Sequence, residues 1–190
     1  TMLFIAKKTN SEYHLVIPIA TYAPWVKDQN FMDLYHKVKN DTLANIYQLW
    51  ELWKICEETK HLDGDVIEIG TYRGGSAAII AKKLLLLENN KTVYACDTFE
   101  GVVKASNKDN YFKGGEYKDT SLDYIKSQFK HTYNINNVSF LKGIFPEDTG
   151  HIIKDKSFSL CHIDVDTYDS GNDIISWIWD KMPIGGIILF

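Results

Sequence analysis

Two aspartates separated by a single residue, Asp164 and Asp166, follow an apolar stretch that predicts a buried strand. Side chains two positions apart on a strand point the same way, so both carboxylates should face one cleft. Two such carboxylates repel each other without a cation between them, and carboxylate oxygens are the ligands that hard divalent cations prefer. We therefore predict that Asp164 and Asp166 bind a metal and that either can accept a proton in catalysis. The alternative is one solvated acid and one residue that begins a helix.

A glycine-rich turn, residues 68–76 with the sequence EIGTYRGGS, follows another predicted strand. Glycines let the backbone approach a ligand closely and let the next helix begin tight against the strand. The spacing G-x-x-x-G-G differs from the G-x-G-x-x-G of dinucleotide-binding folds. Glu68 would repel a pyrophosphate, but it suits a cationic ligand such as an aminoacyl or sulfonium group. The alternative is a plain tight turn without a ligand.

Two further predicted strand ends favour a nucleoside ligand. Asp97 closes the second strand 27 residues after Gly70, where an acid can accept hydrogen bonds from both ribose hydroxyls. Phe99 could flank an adenine or belong to the core. The segment 143–148 follows the third strand and would place Phe145 near the base.

The elements that must position these residues alternate between strand and helix. Strands are predicted at residues 65–70, 92–97, 137–142, 158–164 and 187–190, and helices at residues 76–87, 120–131 and 171–180. Apolar strands that alternate with helices predict an α/β fold with a doubly wound, mostly parallel sheet. In such sheets, ligands bind beyond the carboxyl ends of the strands. Residues 100–119 form a loop that is too long for a plain connection, and we expect it to be a lid.

The N-terminal part predicts two helices. Residues 28–39 have apolar side chains at helical spacing, and Asp41 is expected to cap a second helix. The broad apolar stripe of that second helix, from Leu43 to Cys56, indicates either a core helix or a helical cap over a ligand site. We divide the chain into an N-terminal extension with a helical cap, residues 1–61, and a ligand-binding core, residues 62–190.

Composition excludes several classes of protein. Lys and Arg number 21 and Asp and Glu 25, and a net charge of −4 argues against a nucleic-acid partner. The longest apolar run, residues 84–87, is far shorter than the ~20 residues of a membrane helix. Three cysteines lie far apart in apolar stretches (Cys56, Cys96 and Cys161), which predicts buried thiols and a cytoplasmic location.

Five segments in this order resemble the macrocin O-methyltransferase family: GDVIEIGTYRGGSAAI, DTFEG, GIFPED, HIDVDTYDS and PIGGIILF. The helical segment DQNFMDLYHKVKNDTLANIYQLW extends the resemblance, so that it covers residues 28–190. Members of this family use S-adenosylmethionine to methylate sugar hydroxyls on natural products. The resemblance implies a Rossmann-like class I methyltransferase fold and a magnesium ion.

The resemblance also implies roles for individual residues. The methionine part of the donor would be held by Gly70, Thr71, Arg73, Gly74 and Ser76. Asp97 would hold the ribose, Thr98 and Phe99 would line the nucleoside, and Asp164 would be a metal ligand. In this family an Asp-Asp-Tyr motif after the fifth strand supplies the remaining metal ligands, and the sequence ends at Phe190, where that motif should begin. We therefore expect a core that is truncated at the fifth strand, lacks the last strands of the sheet and is inactive as it stands.

The predicted function is thus magnesium-assisted O-methylation of a small-molecule hydroxyl, on a sugar or glycoside. The metal would lower the pKa of the bound hydroxyl. An exposed apolar edge on the fifth strand predicts a homo-oligomer. Two alternatives remain: a catalytically silent nucleoside-binding or assembly module, and a nicotinamide-dependent reductase, which the absence of G-x-G-x-x-G disfavours.

Overall fold

A sheet of five parallel strands forms the centre of the computed structural model, which describes residues 22–190. The strands are β1 (Asp65–Ile69), β2 (Val93–Asp97), β3 (Val138–Lys142), β4 (Phe158–Ile163) and β5 (Ile187–Leu189). Their order in the sheet is β3-β2-β1-β4-β5. After β3 the chain returns to the other side of β1, so the strand order reverses between β1 and β4, where this type of sheet binds ligands. The predicted parallel, doubly wound sheet is confirmed, with each strand within one residue of its predicted bounds.

Two α-helices precede the first strand, α1 (Gln29–Val38) and α2 (Ile46–Thr59), and three lie between strands, α3 (Gly75–Leu86), α4 (Leu122–Ser127) and α5 (Tyr168–Ile178). A π-helical segment, Gln128–Tyr133, extends α4, and short 3-10 turns lie at Pro24–Lys27, Gly150–Ile153 and Trp179–Lys181. The predicted helices are all present. The last of them, α5, begins three residues earlier than its sequence pattern indicates.

Apolar side chains alternate between the two faces of the sheet, as successive residues of a strand must. Val66, Ala95 and Leu160 pack with α1 to α4 on one face. Ile67 and Ile163 pack with α5 on the other. Both faces are therefore covered, which explains why the strands are continuous apolar runs. The three cysteines are free and buried, as predicted.

Asp41 does not cap α2, so that prediction is wrong. Asn45 lies directly before the first helical residue, and its side chain accepts from the backbone N–H of Gln48 while the Gln48 side chain accepts from the N–H of Asn45. Asp41 instead accepts hydrogen bonds from the hydroxyls of Tyr124 (2.8 Å) and Tyr133 (2.6 Å). It therefore ties the connection between α1 and α2 to the α4 region.

Helix α2 lies partly in the core and partly along a cavity. Leu49 and Trp53 are buried in the core, together with α1 and α3. Leu43 and Tyr47 were expected on the buried face, but they are 67% and 55% exposed and line a cavity. Because α1 and α2 share one core with α3, the division at residue 61 stays a prediction; residues 1–21 of that extension lie outside the described part. None of the described helices is long and apolar enough to cross a membrane.

Candidate active site

A close crossing at Gly70 brings the ends of three strands together. The Gly70 N–H donates to the carbonyl of Cys96 (2.9 Å), and the Asp164 N–H donates to the carbonyl of Ile69 (2.8 Å). Gly70 has a φ of +94°, and a Cβ at this position would collide with the carbonyl oxygen of Asp164. Only glycine permits this approach. The crossing places the residues after β1, β2 and β4 at one edge of the sheet.

The first cavity, of about 100 Å³, lies beyond the carboxyl ends of β1, β2 and β3. Asp97 lines it, with a carboxylate fixed by two backbone donors, the N–H of Phe99 (2.6 Å) and the N–H of Tyr72 (2.7 Å). Burial raises the pKa of Asp97, and these backbone hydrogen bonds partly oppose the rise. Thr98 and Phe145 also line the cavity, and the loop residues 101–103 cover it.

The second cavity, of about 530 Å³, lies between α2 and the ends of β1, β4 and β5. Five residues line both cavities: Gly70, Tyr72, Tyr117, Asp164 and Asp166. The two spaces therefore meet along a shared wall.

Asp164 and Asp166 are exposed at the shared wall, where the sequence predicts them. Partial burial, with the negative charges of Asp164 and Glu116, raises the pKa of Asp166 to about 6. Within residues 22–190, no group of three or more His, Cys, Asp or Glu side chains is arranged to hold a metal ion. The described residues thus offer two adjacent carboxylates as potential ligands.

Glu68 is predicted from the sequence to suit a cationic ligand, but the structure places it in the interior. Its side chain is fully buried, and its Oε1 is 2.9 Å from Nδ1 of His162, which is itself buried and lines the second cavity. Burial lowers the pKa of His162, but the hydrogen bond and charge of Glu68 and the charge of Asp164 outweigh it, so the pKa is raised overall. Glu68 is therefore a partner of His162 and lines neither of the two cavities.

A family profile described as Macrocin-O-methyltransferase (TylF) matches residues 39–190, which is well over half of the chain. The chain belongs to the macrocin O-methyltransferase family. The family resemblance inferred from the sequence segments is thereby confirmed.

Solved methyltransferase structures share the fold of this macrocin O-methyltransferase family member. The O-methyltransferase NovP matches with a TM-score of 0.67 and 21% identity, over 78% of this chain and 65% of NovP. CalS11, a calicheamicin methyltransferase, matches with a TM-score of 0.62 and 14% identity, over 95% of this chain and 83% of CalS11. An O-methyltransferase from Bacillus cereus, solved with S-adenosylhomocysteine (SAH), matches with a TM-score of 0.57 and 19% identity, over 85% of this chain and 65% of the Bacillus cereus protein. These similarities confirm the Rossmann-like methyltransferase fold. The chain thus spans about two thirds of the length of NovP, and a search of curated proteins gave no significant match.

Three residues to which the macrocin O-methyltransferase resemblance gives donor contacts lie elsewhere. Arg73 forms an ion pair with Asp119 and donates to the carbonyl of Asn40. Gly74 has a φ of +87° and lies against the core, where an added Cβ would be 2.9 Å from the ring of Phe129. Phe99 is 5% exposed and belongs to the hydrophobic core, so the core interpretation holds for it. None of the three lines either of the two cavities.

The remaining predicted residues lie at the cavities. Thr71 and Ser76 are buried and line the second cavity, and the Thr71 hydroxyl has no hydrogen-bond partner among the described residues. Thr98 accepts from the N–H of Glu100 and donates to the carbonyl of Gly101, which shapes the turn after β2. Phe145 packs edge-on against Trp177, with ring centroids 4.8 Å apart.

Sequence reasoning missed two aromatic residues of the shared wall in this family member. Tyr72 and Tyr117 meet edge to face with centroids 5.8 Å apart, and the Tyr72 hydroxyl donates to Asp119 (2.8 Å). The sequence could have indicated Tyr72, because this residue lies inside the glycine-rich turn. Tyr117 comes from the long loop, whose path the sequence pattern does not determine.

Proposed function

We propose that the protein transfers a methyl group from S-adenosylmethionine to a hydroxyl of a small-molecule acceptor, a sugar or another natural product. The observation that carries this proposal is the wall shared by two cavities, with Asp164 and Asp166 exposed on it. Methyl transfer needs two ligands held in contact at one point while the rest of each occupies its own space. Membership of the macrocin O-methyltransferase family supports the reaction class.

The described residues fit the donor. Asp97, fixed by two backbone amides at the first cavity, keeps lone pairs that can accept from ribose hydroxyls. Thr71 carries a buried hydroxyl without a partner, and such a group usually indicates a missing ligand or water. With Ser76 in the first turn of α3, Thr71 would hold the aminoacyl end of the donor, while Thr98 and Phe145 would lie beside the nucleoside.

The aminoacyl end of the donor would thus reach into the second cavity at Thr71 and Ser76, and the acceptor would occupy the remainder of that cavity, beneath α2. As the methyl–sulfur bond breaks and the methyl–oxygen bond forms, the hydroxyl must lose its proton. Asp166 lines both cavities and is the residue that we propose as the proton acceptor. Tyr72 and Tyr117 would exclude water from the point of contact.

Asp164 and Asp166 also suit magnesium, which binds to proteins through one or two carboxylates and keeps several waters. When bound, the ion would lower the pKa of a coordinated hydroxyl. The two aspartates provide only part of a coordination sphere, so water or the acceptor would complete it.

The donor assignment is tested at Thr71 with two ligands, SAH and 5′-methylthioadenosine, which lacks the aminoacyl end. We expect Thr71→Ala to weaken SAH binding by about 0.5–1.5 kcal/mol, as one lost hydrogen bond would, and to leave methylthioadenosine binding unchanged. Thr71→Ser keeps the hydroxyl and serves as the control. Isothermal titration calorimetry measures both ligands, and equal weakening of the two would contradict the assignment.

The reaction itself is tested with S-[methyl-³H]adenosylmethionine and a panel of glycosides and phenols, both on residues 1–190 and on a chain that continues past Phe190. Transfer of label supports the proposed function. SAH binding without any transfer favours the nucleoside-binding module, and tight binding of NAD in place of SAH would favour the reductase.

A further inference from the structure

Resting on the proposed function, we infer that His162, held in place by Glu68, is a direct contact for the acceptor at the floor of the second cavity. The two residues are cross-strand neighbours, because Glu68 of β1 pairs with His162 of β4. Both side chains therefore point to the same face of the sheet, towards α2 and α3.

The hydrogen bond to Glu68 fixes which ring nitrogen faces the cavity. Nδ1 of His162 is 2.9 Å from Oε1 of Glu68, and among residues 22–190 no hydrogen bond joins Nε2 to the protein. Since His162 lines the second cavity, Nε2 is the polar atom that it offers to a ligand there. Glu68 sets the orientation of the ring, as a carboxylate partner does for many functional histidines.

The buried pair of Glu68 and His162 contributes little to the stability of the fold, which favours a role in binding. Glu68 is fully buried and His162 is 7% exposed, while Oε2 of Glu68 has no partner among the described residues. Burying a charged or polar pair costs desolvation free energy, and apolar residues of similar size usually stabilise a fold as well or better. A buried polar pair whose Nε2 is the nitrogen offered to an open cavity is better explained by a ligand that hydrogen-bonds to that nitrogen.

The position of His162 determines what the acceptor must carry. His162 lies two residues before Asp164 along one strand direction, which separates them by roughly 6.5 Å. An acceptor whose reacting hydroxyl lies at Asp164 and Asp166 needs a second polar group at about that distance to reach Nε2. Opposite His162, α2 presents Gln48 and Glu51 to the same cavity. The cavity thus selects acceptors that carry several polar groups.

The experiment compares His162→Phe, which removes the nitrogen, with His162→Gln, which keeps a hydrogen-bonding group. Glu68→Gln removes the charge that orients the ring. His151→Phe replaces an exposed histidine outside the site and is the matched control. Each variant is tested for SAH affinity by calorimetry and for labelled methyl transfer to methyl α-L-rhamnopyranoside, methyl α-D-glucopyranoside and catechol.

We expect His162→Phe to raise the KM for the acceptor at least tenfold while the SAH Kd stays within twofold and kcat within threefold. His162→Gln should recover most of the KM, and Glu68→Gln should give an intermediate value. An unchanged acceptor KM in His162→Phe would overturn the inference, as would a parallel loss of SAH affinity, which would indicate a merely structural pair.

A nitrogen NMR measurement on the wild-type complex with SAH separates this inference from the proposed function. If the glycosides shift the His162 Nε2 resonance but no label is transferred, the acceptor contact stands and the proposed reaction fails. If no probe shifts that resonance although label is transferred, the reaction stands and the assignment of His162 is wrong. If neither is observed, both fail.

Discussion

Asp97 is a side chain of the first cavity whose carboxylate is held in place by hydrogen bonds from the backbone. Its two carboxylate oxygens accept from the N–H groups of Tyr72 and Phe99, which belong to the turns after β1 and β2. Burial raises the pKa of Asp97 and so opposes its charge, while these amides favour the charged form. Such a carboxylate is oriented before any ligand arrives.

We expect Asp97→Ala to weaken SAH binding by about 1–3 kcal/mol, because ribose hydroxyls would lose a buried partner. Calorimetry measures the loss, and thermal unfolding shows whether the two freed backbone amides destabilise the fold. Asp155→Ala, at an exposed position, is the control. Unchanged affinity in a folded Asp97→Ala variant would reject the ribose assignment.

A substitution at Asp164 tests the proposed metal site independently of donor binding. In a chain that continues past Phe190, we expect Asp164→Asn to lower methyl transfer at least a hundredfold and to change the SAH Kd less than twofold, because the proposed ion serves the acceptor. A chelator should lower turnover of the wild type, and added magnesium should restore it. Full activity of the variant, or of wild type in chelator, would show that the reaction needs no metal at this position.

At the scale of elements, the segment between β2 and α4 is fastened on two sides. The Thr167 hydroxyl donates to the carbonyl of Val103 (3.0 Å), and Lys108 pairs with Asp169 (2.5 Å), so the segment is attached to the start of α5. At its other end, Asp119 pairs with Arg73 and accepts from the Tyr72 hydroxyl. The loop therefore crosses over the first cavity as a strap, consistent with the predicted lid.

Asp119→Asn should weaken the attachment of the strap over the first cavity while it changes the free energy of unfolding only slightly. The ion pair with Arg73 is largely exposed on the Asp119 side, at 62%, and exposed pairs contribute about 0–1 kcal/mol. We therefore expect a free energy of unfolding within about 1 kcal/mol of wild type, with several-fold faster dissociation of SAH. Stopped-flow kinetics measure the dissociation, and Glu57→Gln, which breaks an ion pair remote from the cavities, is the control. An unchanged dissociation rate would show that the Asp119 contact does not retain the donor.

At the scale of the whole molecule, apolar side chains are exposed beside β5, the edge strand. Trp179 is 65% exposed and Ile184 is fully exposed, and together with Met182, Pro183 and Ile188 they line a shallow surface depression. Exposed apolar side chains that lie together favour contact with another chain. The homo-oligomer stays a prediction that this surface supports.

We expect light scattering to give at least the mass of a dimer for the wild type, and Ile184→Asp to shift the protein towards monomer. Ile152→Asp, at another exposed apolar position, should leave the mass unchanged. A monomeric wild type at micromolar concentration would contradict the prediction.

The sequence by itself determined the bounds of the strands and their order along the chain, because short apolar runs that alternate with helical patterns predict buried parallel strands. It also placed Asp97, Asp164 and Asp166 at one edge of the sheet, since parallel strands direct all their carboxyl ends to the same side. Thr71 lies beside this edge for the same reason.

Only the tertiary structure decided which neighbours of these residues face a ligand. Arg73 and Phe99 lie within the predicted turns, yet their side chains turn to Asp119 and to the core. Glu68 is buried behind His162 because strand register, which depends on non-local pairing, brings the two together. The shared wall likewise requires Tyr117, whose loop has no periodic pattern and is placed by contacts with α5 and the glycine-rich turn. Local periodicity determined the elements, whereas pairing between distant segments determined the site.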